Sequence, residues 1–324
     1  MKKITVLAAA PFRPQDRAAL EAAGGPYYTF IFTTSPDAVQ LAQAEVILGD
    51  VPPAAAACAP ALKWLQLVSA GADAWTQTGS LPEQILLTNV SGAFGQAISE
   101  YVLALILMFE KQLHRYRDSQ RQARWQDLGR QMSPEGQRVL VVGAGDIGCA
   151  VARLLKHAAC HMVGIRRVPR AVPPMFDEMY TLEALDAQLP LADIVVCALP
   201  DTPATRGLFD RRRLSLLRPD ALLINVGRGN LIDCEALAEQ LTAGRLGGAA
   251  LDVTDPEPLP PDHPLWRCPD AIITPHITGG SFGHLEATSD RICEICCENL
   301  RRYAAGQPLI NLVDRQTGYR VTQP

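Results

Sequence analysis

A chain of 324 residues, 48% hydrophobic and 20% charged, carries enough apolar material for two ordinary domains with buried cores. Its net charge of −4 argues against a nucleic-acid partner, and no uncharged apolar run reaches the roughly 18 residues that a membrane span requires. Nine cysteines, an odd number scattered through apolar contexts, are unlike a secreted disulfide framework and imply reduced thiols in a cytoplasmic protein.

The opening MKKITVLAAAPFRP reads as a first strand rather than a signal peptide, because the β-rich ITVL gives way at once to a polar helical pattern. YYTFIF, EVILGD, LKWLQLVSAG and ILLTNV follow as strands, separated by helical segments such as PQDRAALEAAG and SPDAVQLAQA. This alternation predicts a parallel α/β sheet. From Ala93 to Arg121 the pattern predicts one long helix, apolar almost all round at first and then strongly polar, of the kind that bridges two bodies. Its basic end, HRYRDSQRQARW, mixes arginine with aromatics at helical spacing and reads as a solvated face.

A second alternating block runs through QRVLVVGAGDIG, HMVGIRR, DIVVCALP, ALLINVG, GGAALDV and AIITPHI, six strands in an order that suits a doubly wound dinucleotide domain. Within it, Asp210 is placed to cap a short helix whose outer face is Arg211 to Arg213. The chain then returns to helix in EATSDRICEICCENLRRYAAG. The C-x-x-C spacing there lacks a second pair or a histidine cluster, so it reads as a helix face and no metal is expected. No low-complexity stretch or internal repeat interrupts the chain.

In VLVVGAGDIGCAVARLL, Gly143, Gly145 and Gly148 form G-x-G-x-x-G between an apolar strand and a helix. The first glycine permits a tight turn, the second lets backbone approach a pyrophosphate, and the third lets helix and strand pack closely. The next strand ends about twenty residues on, as the dinucleotide fingerprint requires. Where NAD sites place a carboxylate for the ribose hydroxyls, this chain has Arg166 and Arg167, whose guanidinium groups suit a 2′-phosphate. The expected cofactor is therefore NADP(H), with NAD(H) as the alternative.

Three residues at the ends of later strands meet the needs of hydride transfer to a 2-keto acid. Arg228, held between two glycines, can present a fork to a carboxylate and polarise the adjacent carbonyl. His276, at a strand's carboxyl end, can protonate the alkoxide that hydride addition leaves. His114, His157, His161, His263 and His284 lack that setting. Glu257, in a proline-rich loop, can orient the imidazole. Asp252, at the end of GGAALDV, is a candidate for the nicotinamide side or for a local structural role.

With LVSAGAD, LPDTPATRGLF, LINVGRGNLID, GGAALDVTDPEPLP and ITPHITGG in this order, the chain resembles the D-isomer-specific 2-hydroxyacid dehydrogenase family over essentially its whole length. The resemblance implies a catalytic set of Arg228, Glu257 and His276, and a substrate carboxylate bound by the backbone of Ser69, Ala70 and Gly71 together with Arg228 and His276. It implies a Rossmann domain, residues 96–279, inserted into a discontinuous flavodoxin-like substrate domain, residues 1–95 and 280–324, with a cleft that closes to exclude water. The cofactor site is expected to comprise Asp146, Ile147, Leu199, Pro200, Thr205, Val226, Gly227, Asp252 and Gly279 besides the three glycines and the two arginines. A homodimer is implied as well. Within the family the chain looks most like the NADPH-preferring glyoxylate/hydroxypyruvate reductase group, including its VDRQTGY ending. Trp75, Trp125 or an aromatic of a partner subunit is a candidate for the substrate pocket, with core packing the ordinary role for each. The alternative is a dinucleotide-sensing regulatory protein resembling the C-terminal-binding-protein corepressors, which share this architecture and retain a similar triad.

Overall fold

The segment ITVL opens β1 (Ile4–Ala8), which pairs in parallel with β2 (Tyr28–Phe32) and β3 (Val46–Leu48). The computed structural model describes residues 3–76, 81–168, 171–280, 282–315 and 320–321. With β4 (Trp64–Gln66) and β5 (Leu86–Thr88), the first sheet has the order β2-β1-β3-β4-β5, wholly parallel. That is the flavodoxin-like arrangement. Its central strands are apolar on both faces because helices cover both, which is why they read as continuous runs rather than alternating ones.

A buried polar network ties the C-terminal helix Glu286–Ala304 to this sheet. Asn299 and Thr88 both donate to Gln66 Oε1 at 2.8 Å, and Trp64 Nε1 donates to Thr88 Oγ1 at 2.8 Å. The same helix carries Cys293, Cys296 and Cys297 on its buried side. Of the VDRQTGY ending, Val313 packs against the core, whereas Gln316 to Tyr319 lie outside the described residues.

The second sheet comprises β6 (Arg138–Val142), β7 (His161–Arg166), β8 (Glu178–Thr181), β9 (Ile194–Cys197), β10 (Leu222–Asn225), β11 (Gly248–Leu251) and β12 (Ala271–Ile273). Its order is β12-β11-β10-β9-β6-β7-β8, so seven parallel strands stand where six are predicted. The additional one is β8, a half-exposed edge strand, EMYT, with no apolar run to announce it. From β8 to β11 the order is that of a Rossmann sheet, extended by β12, and it reverses between β6 and β9.

The long helix predicted from Ala93 to Arg121 is instead two, Gly95–Glu110 and Leu113–Arg121. Gln112 breaks it with a left-handed φ of 53°, held by its side-chain amide donating to Arg130 O at 2.8 Å. The short helix Arg211–Leu214 forms as read, with Asp210 accepting from Arg213 N at 2.8 Å. Two compact units result, Met1–Phe94 with Gly280–Pro324, and Gly95–Gly279. No helix among the described residues is long and apolar enough to cross a membrane.

Candidate active site

Between β6 and the helix Asp146–His157 the chain turns through Gly143, at a φ of 109° that side chains avoid. A Cβ on Gly143 would lie 2.5 Å from Ala198 O, and one on Gly148 would lie 2.2 Å from Gly143 O. At Gly145 a Cβ would meet nothing within 4 Å. Two of the three glycines are therefore demanded by the protein's own packing, while the middle one fronts open space at the helix start. That is the arrangement a pyrophosphate on a helix N-terminus needs. Asp146 and Ile147 open this helix, Asp146 exposed and Ile147 half-buried.

Arg166 ends β7 and turns back over the glycine turn, its Nη2 donating to Ala144 O at 3.1 Å. Arg167, next along, is exposed. The site's residues thus fit a dinucleotide, with a guanidinium at the position reserved for the ribose. Leu199 and Pro200 follow β9, and the close approach of Gly227, whose Cβ would lie 2.6 Å from Leu199 O, brings the ends of β9 and β10 together beside Val226. The Thr205 hydroxyl organises that loop, lying 2.7 Å from Pro200 O and accepting from Thr202 N at 2.9 Å.

Arg228 follows β10 and is partly buried, its Nη1 donating to Gly227 O at 2.9 Å. Gly229 packs so tightly on Thr254 that a Cβ would fall 1.8 Å from its carbonyl oxygen. Thr254 N in turn donates to Glu257 Oε1 at 3.1 Å, leaving Oε2 to accept from His276 Nδ1 at 3.2 Å. The imidazole and the carboxylate are both about half exposed, so Nε2 can face a substrate. Backbone packing and hydrogen bonds thereby link the loops that carry Arg228, Glu257 and His276 at the carboxyl ends of β10, β11 and β12.

Asp252, immediately after β11, has the local structural role that the sequence offered as one of its two readings. Its buried carboxylate is filled by the turn that carries His276, accepting from Thr274 Oγ1, Ile277 N, Thr278 N and Thr278 Oγ1. Thr274 and Thr278 were not singled out in the sequence, although they flank the histidine at i−2 and i+2. Gly279 ends this unit, half-buried.

In the other unit, Ser69, Ala70 and Gly71 form a turn after β4. Asp50 Oδ1 accepts from Val68 N at 3.0 Å, and Asn89 Nδ2 donates to Ala70 O at 2.8 Å. Trp75 is buried in that unit's core, whereas Trp125 is wholly exposed. A separate cavity of about 760 Å³, lined among others by Glu110, Gln137, Asp193, Arg218 and Asp270, lies at the amino ends of the second sheet's strands, away from the glycine turn and the His276 pair.

A Rossmann sheet with a glycine turn, a basic residue after the second strand and an imidazole–carboxylate pair at the strand ends defines an α/β dinucleotide-dependent oxidoreductase. The model of the D-isomer specific 2-hydroxyacid dehydrogenase NAD binding domain matches residues 103–278, and the chain belongs to that family. It is 30% identical to glyoxylate/hydroxypyruvate reductase A of Photorhabdus laumondii over 80% of this chain and 82% of that protein. Among solved structures it is similar to a D-isomer specific 2-hydroxyacid dehydrogenase of Xanthobacter autotrophicus in complex with NADPH and MES. That likeness has a TM-score of 0.82 at 31% identity, covering 98% of this chain and 100% of the other. It is likewise similar to an NADPH-dependent glyoxylate/hydroxypyruvate reductase of Sinorhizobium meliloti in complex with NADP and sulfate, with a TM-score of 0.82 at 28% identity, covering 98% and 100%.

Proposed function

We propose that this protein reduces a small 2-keto acid, of the glyoxylate or hydroxypyruvate kind, to the D-2-hydroxy acid at the expense of NADPH. The observation that carries the reading is the 3.2 Å contact between His276 Nδ1 and Glu257 Oε2, in the same sheet as an open Gly145 turn overhung by Arg166. The reductases named above, one of them holding NADP, support the choice of substrate and cofactor.

Gly143, Gly145, Asp146, Ile147 and Gly148 would hold the pyrophosphate end, with Leu199, Pro200, Thr205, Val226, Gly227 and Gly279 lining the remainder. Arg166 and Arg167 would take the 2′-phosphate. When bound, the nicotinamide supplies a hydride to the keto carbon. The guanidinium of Arg228 binds the substrate carboxylate and draws charge from the carbonyl oxygen. In the other unit, the backbone N–H groups of Ser69 to Gly71 are the candidates that the family resemblance offers for a substrate carboxylate. The His276 imidazolium gives its Nε2 proton to the oxygen as negative charge develops there. Glu257 accepts from Nδ1, which fixes the ring and leaves Nε2 as the nitrogen that faces the substrate. A homodimer in the cytoplasm completes the proposal, supported by family resemblance and by nine free cysteines suited to a reducing compartment.

Steady-state oxidation of NADPH and NADH, side by side with glyoxylate, hydroxypyruvate, pyruvate and bulkier 2-keto acids, tests this. A preference for NADPH of about 100-fold in kcat/KM is expected, falling by about 10- to 100-fold when Arg166 and Arg167 are both replaced by alanine. NADH preference would remove the 2′-phosphate role. Silence with every acid would sink the reductase reading and favour a regulatory one.

A further inference from the structure

The sequence places Tyr101 among the apolar residues of a helix and Thr274 beside a proline, and neither position suggests a role in chemistry. In the structure both belong to one hydrogen-bonded chain ending at the turn of residues 274–278. We infer that Tyr101 and Thr274 are positioning residues for His276, acting through the carboxylate of Asp252; this rests on His276 being the proton donor.

The direction of every bond in the chain follows from counting protons. Asp252 is only 3% exposed, so its oxygens depend on protein donors. Oδ1 accepts from Ile277 N at 2.9 Å and Thr274 Oγ1 at 2.7 Å, and Oδ2 from Thr278 N at 2.9 Å and Thr278 Oγ1 at 2.6 Å. Thr274 has one hydroxyl proton, and Asp252 takes it. The 2.7 Å contact between Thr274 Oγ1 and Tyr101 Oη must then be donated by tyrosine. Burial pushes the Tyr101 phenol up, so the proton it donates is present at any working pH.

The chain runs from the helix Gly95–Glu110 into both sides of the histidine. Thr274 precedes it, Ile277 and Thr278 follow it, and its own N–H donates to Asp252 O at 2.8 Å. His276 sits at a φ of 52°, a left-handed conformation that non-glycine residues avoid and that persists only where neighbours impose it. The Asp252 carboxylate collects those neighbours, and the Tyr101–Thr274 pair fixes one of its four donors. β12 itself is held to β11 by backbone pairing at Ala271 to Ile273, outside this side-chain network. What shifts when this support is lost is the imidazole relative to the substrate oxygen, where displacements of about 1 Å can cost about 100-fold in rate.

The test compares Thr274→Val, Thr274→Ser, Tyr101→Phe and the double variant Tyr101→Phe/Thr274→Val with His276→Ala. Thermal melting checks folding, fluorescence gives NADPH Kd, and steady-state kinetics give kcat and KM. Thr274→Val is expected to lower kcat by about 10- to 100-fold with NADPH Kd within about twofold, and Thr274→Ser to restore it to within about threefold. Tyr101→Phe should lower kcat by about 3- to 10-fold in the parent and add less than about 1.5-fold in the Thr274→Val background, since both act through one bond. Wild-type kcat in a folded Thr274→Val, with His276→Ala inactive, overturns the inference while leaving the histidine's role intact. Full turnover in His276→Ala overturns the catalytic assignment itself. If Thr274→Val does not fold, Tyr101→Phe carries the test alone, and an unchanged kcat there removes Tyr101 from the chain.

Discussion

Gly145→Ala and Gly148→Ala differ by one methyl group each, three residues apart, yet the structure assigns them opposite consequences. At Gly145 the backbone is extended, with φ −87° and ψ −152°, and the new Cβ meets nothing within 4 Å. Alanine caps a helix less well than glycine by about 0.5–1 kcal/mol, and the stiffer unfolded chain returns about 0.4–1 kcal/mol, so the two nearly cancel. At Gly148 the Cβ would stand 2.2 Å from Gly143 O and 2.9 Å from Val141 Cγ1, contacts that only backbone movement relieves. Forced overpacking of that kind costs about 3 kcal/mol, or about 6–12 °C in melting temperature for a unit the size of Gly95–Gly279. Thermal melting and NADPH titration by fluorescence separate the two. Gly145→Ala should melt within about 2 °C of wild type yet bind NADPH at least about 10-fold more weakly, because its methyl occupies the approach of the pyrophosphate. Gly145→Ala with wild-type affinity would refute the reasoning, since the phosphates would then have to lie elsewhere.

His276→Ala should keep NADPH binding within about twofold while kcat falls by about 100- to 10,000-fold, read from titration and steady-state rates. Arg228→Lys replaces a fork by a point charge, and kcat/KM for the keto acid should drop by about 10- to 100-fold. Asp270 anchors the helix Leu113–Arg121 through Arg115, whose Nε and Nη2 donate to it at 2.7 Å and 2.6 Å. Burial alone would raise its carboxyl, but hydrogen bonds from His114 and Arg115 hold it down at about 2. A depressed carboxyl stabilises the fold above its unfolded value and loses that contribution as pH falls. Asp270→Asn should therefore cost about 1–2 kcal/mol at neutral pH, allowing for solvent screening, and the gap to wild type should close between about pH 4 and pH 2 in melting experiments.

Where sequence and structure diverge, the cause is local. The apolar runs announce every strand of both sheets except β8, because only a strand buried on both faces must be continuously apolar, and Glu178–Thr181 lies at an edge. The helix break at Gln112 carries no glycine or proline. It depends on an amide reaching Arg130 O, a contact between segments that no periodicity encodes. The glycine motif was legible because its spacing reflects backbone geometry. Arg228, Glu257 and His276 could be singled out because each follows an apolar strand, and the structure places them at the carboxyl ends of β10, β11 and β12 with Glu257 and His276 in contact. Asp252 was only half legible. A carboxylate at a strand end suits a cofactor, a turn or both, and the four donors that tie it to a turn come from residues 22 to 26 positions downstream. Tyr101 had no signal, since an aromatic in an apolar helix looks the same whether its hydroxyl is used or not.

On the proposed mechanism, a His276 proton and a hydride from NADPH are delivered to a small 2-keto acid to give the D-product. The most direct measurement is to incubate the enzyme with NADPH and hydroxypyruvate, follow the loss of reduced cofactor, and resolve the glycerate formed by chiral chromatography. Stoichiometric NADPH loss with D-glycerate as the product is expected. L-glycerate, or no cofactor consumption with hydroxypyruvate and glyoxylate alike, would contradict the account.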